Sequence, residues 1–198
     1  FVLARDSMAL VPLSAAARRG RVLSVTYARR TDLGAGTAFN AELRRRVSGV
    51  RPLFVSSDDA APNFGVLLAD VKASDLVVVG SYVNITSETA TAGAPKAFLD
   101  FIAALQARGA RVILVSFGTP YLLLQTPTVG TYAIAWGGGT ASQRAAARAL
   151  VGEIPITGRL PISLPPLLPL RLLTPPPLRP PTPLLLRPRP KKSRLASN

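Results

Sequence analysis

Asp75-Leu76-Val77-Val78-Val79-Gly80 decides the fold. It is a continuous apolar run, without the polar alternation of a strand that has one wet face. Such a run is what a parallel strand requires when helices cover both of its faces. Working outward, four further strand-like segments resemble it. Upstream are Arg21-Val22-Leu23-Ser24-Val25-Thr26-Tyr27 and Pro52-Leu53-Phe54-Val55. Downstream are Arg111-Val112-Ile113-Leu114-Val115-Ser116 and Tyr132-Ala133-Ile134-Ala135-Trp136.

Helical patterns lie between them. Phe39, Leu43 and Val47 share one face of a helix over about 38–47. Phe64, Leu67, Leu68 and Val71 form the next stripe. Pro95 suits the first turn of a helix that carries Phe98, Ile102 and Leu105 and stops at Gly109. Thr119-Pro120 opens a short helix through Leu124, and Thr140 and Gln143 have the spacing of a capping box for a helix running to about Val151. Five strand–helix alternations predict an α/β fold, a three-layer α/β/α sandwich around a mainly parallel, doubly wound sheet. The chain is too short for an eight-unit barrel, which needs about 250 residues.

Composition adds a boundary and several exclusions. The 198 residues contain no histidine and no cysteine. That removes Ser-His-Asp and Cys-His nucleophile systems, histidine-ligated zinc, disulfides and iron–sulfur clusters from what this chain can build alone. Residues 1–164 contain all ten acids and 17 of the 24 bases; residues 165–198 contain seven bases, eleven prolines, ten leucines and no acid. Prolines at that density remove amide donors and fix φ, so 165–198 is expected to be an extended or disordered basic tail. Proline, arginine and leucine share C-rich codons, and GC-rich DNA read out of frame yields such text, so a frameshift is the leading explanation of the tail. The longest uncharged span, Val112 to Gln143, is broken by Gly118, Pro120, Pro127 and Gly137-Gly138-Gly139, and no membrane span is expected.

In an open parallel sheet, ligands approach the carboxyl ends of the strands. The residues expected there are Ser81, Tyr82, Asn84, Glu88, Gly118, Thr119, Gly137 and Gly138, together with Ser116. Trp136-Gly137-Gly138-Gly139-Thr140 has two readings, an anion cradle at a helix N-terminus or a plain strand-to-helix turn; the turn is favoured. Neither GxGxxG nor GxxxxGK[ST] occurs. Asp58-Asp59 lacks the spacing of a calcium loop and reads as a solvated turn capping the next helix. Glu88 sits where a general acid could reach out, yet no second carboxylate is placed beside it, and it reads as a surface residue. Asn84-Ile85-Thr86 matches a glycosylation sequon, a pattern common by chance.

Arg44-Arg45-Arg46 reads as a solvated helix face. Arg187, Arg189, Lys191, Lys192 and Arg194 would attract phosphates, but the tail has no aromatic residue for base stacking, so no nucleic-acid partner is expected. No cofactor and no metal are expected.

Four stretches carry a family resemblance. They are Val2-Leu3-Ala4-Arg5-Asp6 with Leu10-Val11-Pro12-Leu13; Asp75 to Val83; Val112-Ile113-Leu114-Val115-Ser116-Phe117-Gly118-Thr119-Pro120-Tyr121-Leu122-Leu123; and Ser142-Gln143-Arg144-Ala145-Ala146-Ala147-Arg148-Ala149-Leu150 running on to Gly158-Arg159-Leu160-Pro161-Ile162-Ser163. Across residues 1–164 the chain resembles the C-terminal α/β sandwich domain of glycoside hydrolase family 3, closest to its β-N-acetylhexosaminidase-like branch. The third and fourth stretches are the specific ones.

The resemblance implies an N-terminal (β/α)₈ barrel as partner, holding an aspartate nucleophile and, on a barrel loop, a His–Asp dyad. By the resemblance this chain corresponds to the segment that follows the barrel, and it has no histidine, so neither group is expected to transfer to it. In the glucosidase-like branch the sandwich domain donates an acid/base glutamate; no matching acidic motif surrounds Glu88, so no catalytic residue is assigned. The resemblance also implies that carbohydrate is met only through the barrel, and relatives are often exported. The implied role is an accessory glycosidase domain, inactive alone. The alternative is a stand-alone module binding a small anion or nucleotide at the strand ends.

Overall fold

The computed structural model describes residues 1–59, 64–83 and 94–161. The elements are β1 (Val2–Asp6), α1 (Ala15–Arg19), β2 (Arg21–Ala28), α2 (Thr37–Arg44), β3 (Gly49–Ser56), α3 (Phe64–Asp70), β4 (Leu76–Ser81), α4 (Lys96–Ala107), β5 (Arg111–Ser116), α5 (Leu122–Gln125), β6 (Thr131–Ile134) and α6 (Thr140–Leu150). The sheet order is β1-β6-β5-β4-β2-β3. β2 to β6 pair in parallel, and β1 lies antiparallel on β6. The expected three-layer architecture is therefore present, with an antiparallel edge added.

β4 runs through the middle and is buried along its whole length, because its side chains serve two cores. Val77 and Val79 join Phe98, Phe101, Ile102 and Leu105 of α4 on one face. Leu76 and Val78 join Phe39 and Leu43 of α2 and Ala146 and Leu150 of α6 on the other. Strand periodicity of two thus meets helical periodicity on both sides. The polar residues of β2 on the α2 side are accounted for. Ser24 Oγ donates to Asn40 Oδ1 at 2.6 Å, and Asn40 Nδ2 donates to Thr26 Oγ1 at 3.4 Å.

Several local expectations change. Val2–Asp6 pairs as an edge strand although its pattern is weak. Distant and local groups tie it down: Arg5 donates to the carbonyls of Pro127 and Val129, and the Asp6 carboxylate accepts from Thr131 Oγ1 and from the nearby Leu10 and Val11 amides. α1 is also unanticipated, and is capped by Ser14 Oγ, which accepts from the Ala17 amide. α2 ends at Arg44, yet Val47 is still buried because its amide donates to Leu43 O and turns it inward. β6 stops at Ile134, and Trp136 leaves the strand with φ 61°. Pro95 is the N-cap of α4 rather than a residue of its first turn, and α5 begins at Leu122 rather than Thr119. Asp58 accepts from the Arg30 amide and Asp59 pairs with the Arg30 guanidinium, so both serve the loop after β2. Residues 165–198 lie outside the described residues.

On the outer side of α2 and α6, Glu42 and Glu153 share Arg46, at 3.0 and 2.5 Å. The Arg46 guanidinium, helped by Arg148, holds the Glu153 carboxyl below its ordinary value. A lowered folded-state pKa contributes stability above the unfolded value of about 4.3, and that contribution is lost as pH falls through the folded value. A Glu153→Gln variant is therefore expected to unfold at lower urea than the parent at pH 7, with the gap closing below about pH 4. A gap that persists unchanged at pH 3 in paired urea titrations would contradict the ion pair's role.

Candidate functional site

β2 is flanked by β3 on one side and β4 on the other, so the connections leaving β2 and β4 run in opposite directions along the sheet. That is the switch point of a doubly wound sheet, where a crevice opens beyond the strand ends. A cleft of about 310 Å³ lies there, lined by Asp32, Leu33, Gly34, Ala35, Tyr82, Phe117, Gly137 and Gly138. The residues come from the loops after β2, β4, β5 and β6.

The floor is aromatic. The Tyr82 and Phe117 rings stack at 4.6 Å and 8°, and Phe39 meets Phe117 edge-on at 5.5 Å. Tyr82 Oη accepts from the Gly36 amide at 2.8 Å. Burial raises the Tyr82 phenol well above its ordinary pKa, against the opposing hydrogen bond from Gly36, so it stays protonated at neutral pH. Gly36 starts α2 at φ 71°, and a Cβ there would fall 2.1 Å from Thr26 Oγ1, so the turn tolerates no side chain. Gly138 lies against the Tyr82 ring edge.

Gln143 joins the walls. Its Nε2 donates to Gly34 O at 2.8 Å and to Gly138 O at 2.6 Å, and its Oε1 accepts from the Phe39 amide at 3.1 Å. The spacing with Thr140 predicted a capping box; instead Gly139 is the N-cap, no side chain caps the helix, and Gln143 faces inward. The physical reason is register: Gln143 shares its face with Ala146, Ala147 and Leu150, all buried. A polar side chain on a core-facing stripe must find buried partners, and that was the signal in the sequence.

The expected site residues divide. Tyr82, Gly137 and Gly138 line the cleft. Ser81 and Thr119 do not; they stitch adjacent strand ends together. Ser81 Oγ accepts from the Val83 amide at 3.5 Å, Thr119 N donates to Val83 O at 2.9 Å, and Ser116 Oγ donates to Thr119 O at 2.6 Å. Gly118 sits in that same turn, off the cleft wall. Asn84 and Glu88 lie outside the described residues. Asp32 and Leu33 were not anticipated, because nothing in the sequence says which loop the switch point will expose. Leu33 stands 89% exposed on the rim.

Among the described residues the cleft's one carboxylate is Asp32, which is held by Arg29 at 3.1 Å. Among the described residues no group of His, Cys, Asp and Glu could hold a metal ion, and no helix is long and apolar enough to cross a membrane. Chemically the cleft offers a hydrophobic floor, backbone dipoles and one paired acid. Among the described residues it has no acid–base couple.

Residues 2–176 match the family described as the glycosyl hydrolase family 3 C-terminal domain. No curated protein matches the chain by sequence. Among solved structures, a fungal multi-domain family 3 β-N-acetylglucosaminidase is similar, with TM-score 0.64 and 19% identity over 83% of this chain. The family 3 β-N-acetylglucosaminidase of Paenibacillus sp. str. FPU-7 gives TM-score 0.61 and 23% identity over 82%. A β-glucosidase from Listeria innocua gives TM-score 0.60 and 17% identity over 77%. This chain covers only 18%, 30% and 24% of those three proteins respectively.

Proposed function

We propose, since this chain belongs to the glycosyl hydrolase family 3 C-terminal domain family, that it is the accessory sandwich of a retaining glycosidase acting on N-acetylglucosaminyl sugars, and that it catalyses nothing alone. Residues 1–164 form the sandwich, and the partner is an N-terminal (β/α)₈ barrel that supplies the reactive groups. The observation that carries this reading is the cleft's chemistry. Among the described residues its one acid is paired with Arg29, and the whole chain has no histidine to serve beside it. Glycoside hydrolysis needs two carboxylates, or an equivalent couple, at a set separation.

Two further facts support the reading. Each of the similar structures is several times longer than this chain, leaving room for a catalytic domain. The choice of N-acetylglucosaminyl sugars rests on the stretches 112–123 and 142–163 and on the names of two of those relatives. In this role the domain packs on the barrel and stabilises it, and the cleft shapes one wall of the substrate channel.

The purified chain is expected to release no chromophore from a chromogenic β-N-acetylglucosaminide above the buffer rate. Steady turnover by the chain alone would overturn the reading. Heat released on titrating nucleotides, with none for sugars, would transfer the cleft to a stand-alone binding role.

A further inference from the structure

Every helix that returns to a parallel strand ends on the same side of the sheet, so the topology collects the helix C-termini and the strand starts on one rim. Among the described residues that rim carries eleven of the seventeen bases. Arg18, Arg19 and Arg21 stand where α1 meets β2; Arg44 ends α2, and Arg45 and Arg46 follow it. Arg51, Lys72, Arg108, Arg111 and Arg148 continue along it. Against these eleven bases stand four acids, Glu42, Asp70, Asp75 and Glu153, a net charge of +7. The opposite rim has, among the described residues, Arg29, Arg30, Lys96 and Arg144 against Asp32, Asp58, Asp59 and Asp100, a net charge of zero.

A structural reading of this polarity exists and falls short. Cations at helix C-termini offset the macrodipole, about half a negative charge per helix end. Five helix ends, those of α1, α2, α3, α4 and α6, supply roughly −2.5, well under the excess. Much of the rim is also internally paired: Arg21 with Asp70 and Asp75, Arg51 with Asp70, Arg46 with Glu42 and Glu153. Arg18, Arg19 and Arg44, with Lys72, have no side-chain hydrogen bond or ion pair to any described residue. Arg18 and Arg44 belong to neighbouring turns, because the Ser48 amide donates to Arg18 O at 3.0 Å. The backbones of Gly20 and Gly49 touch there, and a Cβ on Gly49 would fall 2.2 Å from Gly20 O. Three arginines thus lie on two chain segments, 18–20 and 44–49, that meet at one corner, and none of the three has a side-chain partner among the described residues.

We propose that this corner, Arg18, Arg19 and Arg44 with the rest of the basic rim behind it, binds a flexible linear polymer bearing repeated phosphate groups. The guanidinium fork matches phosphate oxygens in pairs. A protein partner would want an apolar centre in its footprint. Of the large exposed hydrophobic side chains, Leu33, Phe54, Val66, Tyr121 and Trp136 lie nearer the cleft rim or at mid-sheet, and Met8, which does stand at the basic rim, is on the β1 edge at the other end of the sheet from β2 and β3. For the same reason the corner has no stacking platform for bases. The inference stands apart from the glycosidase reading.

The test is fluorescence anisotropy of the full chain with labelled inorganic polyphosphate over a salt series. Arg18→Gln/Arg19→Gln/Arg44→Gln is expected to weaken binding at least tenfold at low salt and to flatten the slope of log K against log salt by about 2. Arg29→Gln/Arg144→Gln/Arg159→Gln removes the same charge elsewhere and is expected to change affinity by less than about threefold. Equal losses in the two triples would reduce the effect to net charge and overturn the site. Unchanged binding in the corner variant, with binding lost when Arg187, Arg189, Lys191, Lys192 and Arg194 become Gln, would move it to the tail and overturn it. Poly-glutamate binding as tightly as polyphosphate, or a single-stranded oligonucleotide of equal charge binding more tightly, would overturn the phosphate-polymer assignment. Matching thermal melts show that each variant is folded.

Discussion

Phe98→Ala is expected to remove about 3–5 kcal/mol of stability, a large share of the roughly 5–15 kcal/mol that native domains possess. Phe98 is fully buried on α4 and stacks on Tyr27 of β2 at 4.3 Å and 20°. Tyr27 in turn meets Phe64 of α3 at 6.0 Å, and Phe64 stacks on Phe101 at 4.3 Å. Four rings therefore lock α3 and α4 to β2, and removing one leaves a cavity that a sheet and two helices cannot close. The same change at Phe54, an exposed edge-strand ring, should cost about 1 kcal/mol or less. Urea unfolding of the two variants side by side decides the matter. Similar losses in both would mean that the ring cluster is not the core of that face.

Gln143→Leu is expected to cost about 2–4 kcal/mol, although leucine is more apolar and similar in size. It leaves the Phe39 amide and the Gly138 carbonyl without their side-chain partner and the Gly34 carbonyl with only the Thr37 amide at 3.3 Å. Hydrogen exchange at the Phe39 amide should accelerate with it, because α2 loses its tie to α6. Gln143→Glu restores the acceptor but not the two donated bonds, and should recover little. If Gln143 instead worked as an exposed capping-box residue, the loss would stay near 1 kcal/mol and the exchange at Phe39 would not move. The experiment therefore separates the two readings by size and by position.

Much of the sheet was legible in the chain itself. Asp75–Gly80 and Arg111–Ser116 are apolar on both pleat faces, and only a strand covered on both sides can use that pattern. The stripes Phe39-Leu43-Val47 and Phe98-Ile102-Leu105 all end in the core. Val2–Asp6 was not legible as a strand. Its short, charged pattern is completed by Arg5 and Asp6 reaching carbonyls, amides and a hydroxyl, some of them more than 120 residues away. The inward turn of Gln143 was half legible: its helical face pointed to the core, while its spacing to Thr140 pointed to a cap.

The sequence by itself determined the layered class, the core stripes and the exclusion of histidine and thiol chemistry, because periodicity and composition are local quantities that need no partner. Tertiary structure alone decided which loops meet at the switch point, that Asp32 stands in the cleft while Ser81 is sealed away, and that eleven bases share one rim. Those facts depend on strand order and on the direction of each helix, and strand order joins residues whose separation along the chain carries no record of their distance in space.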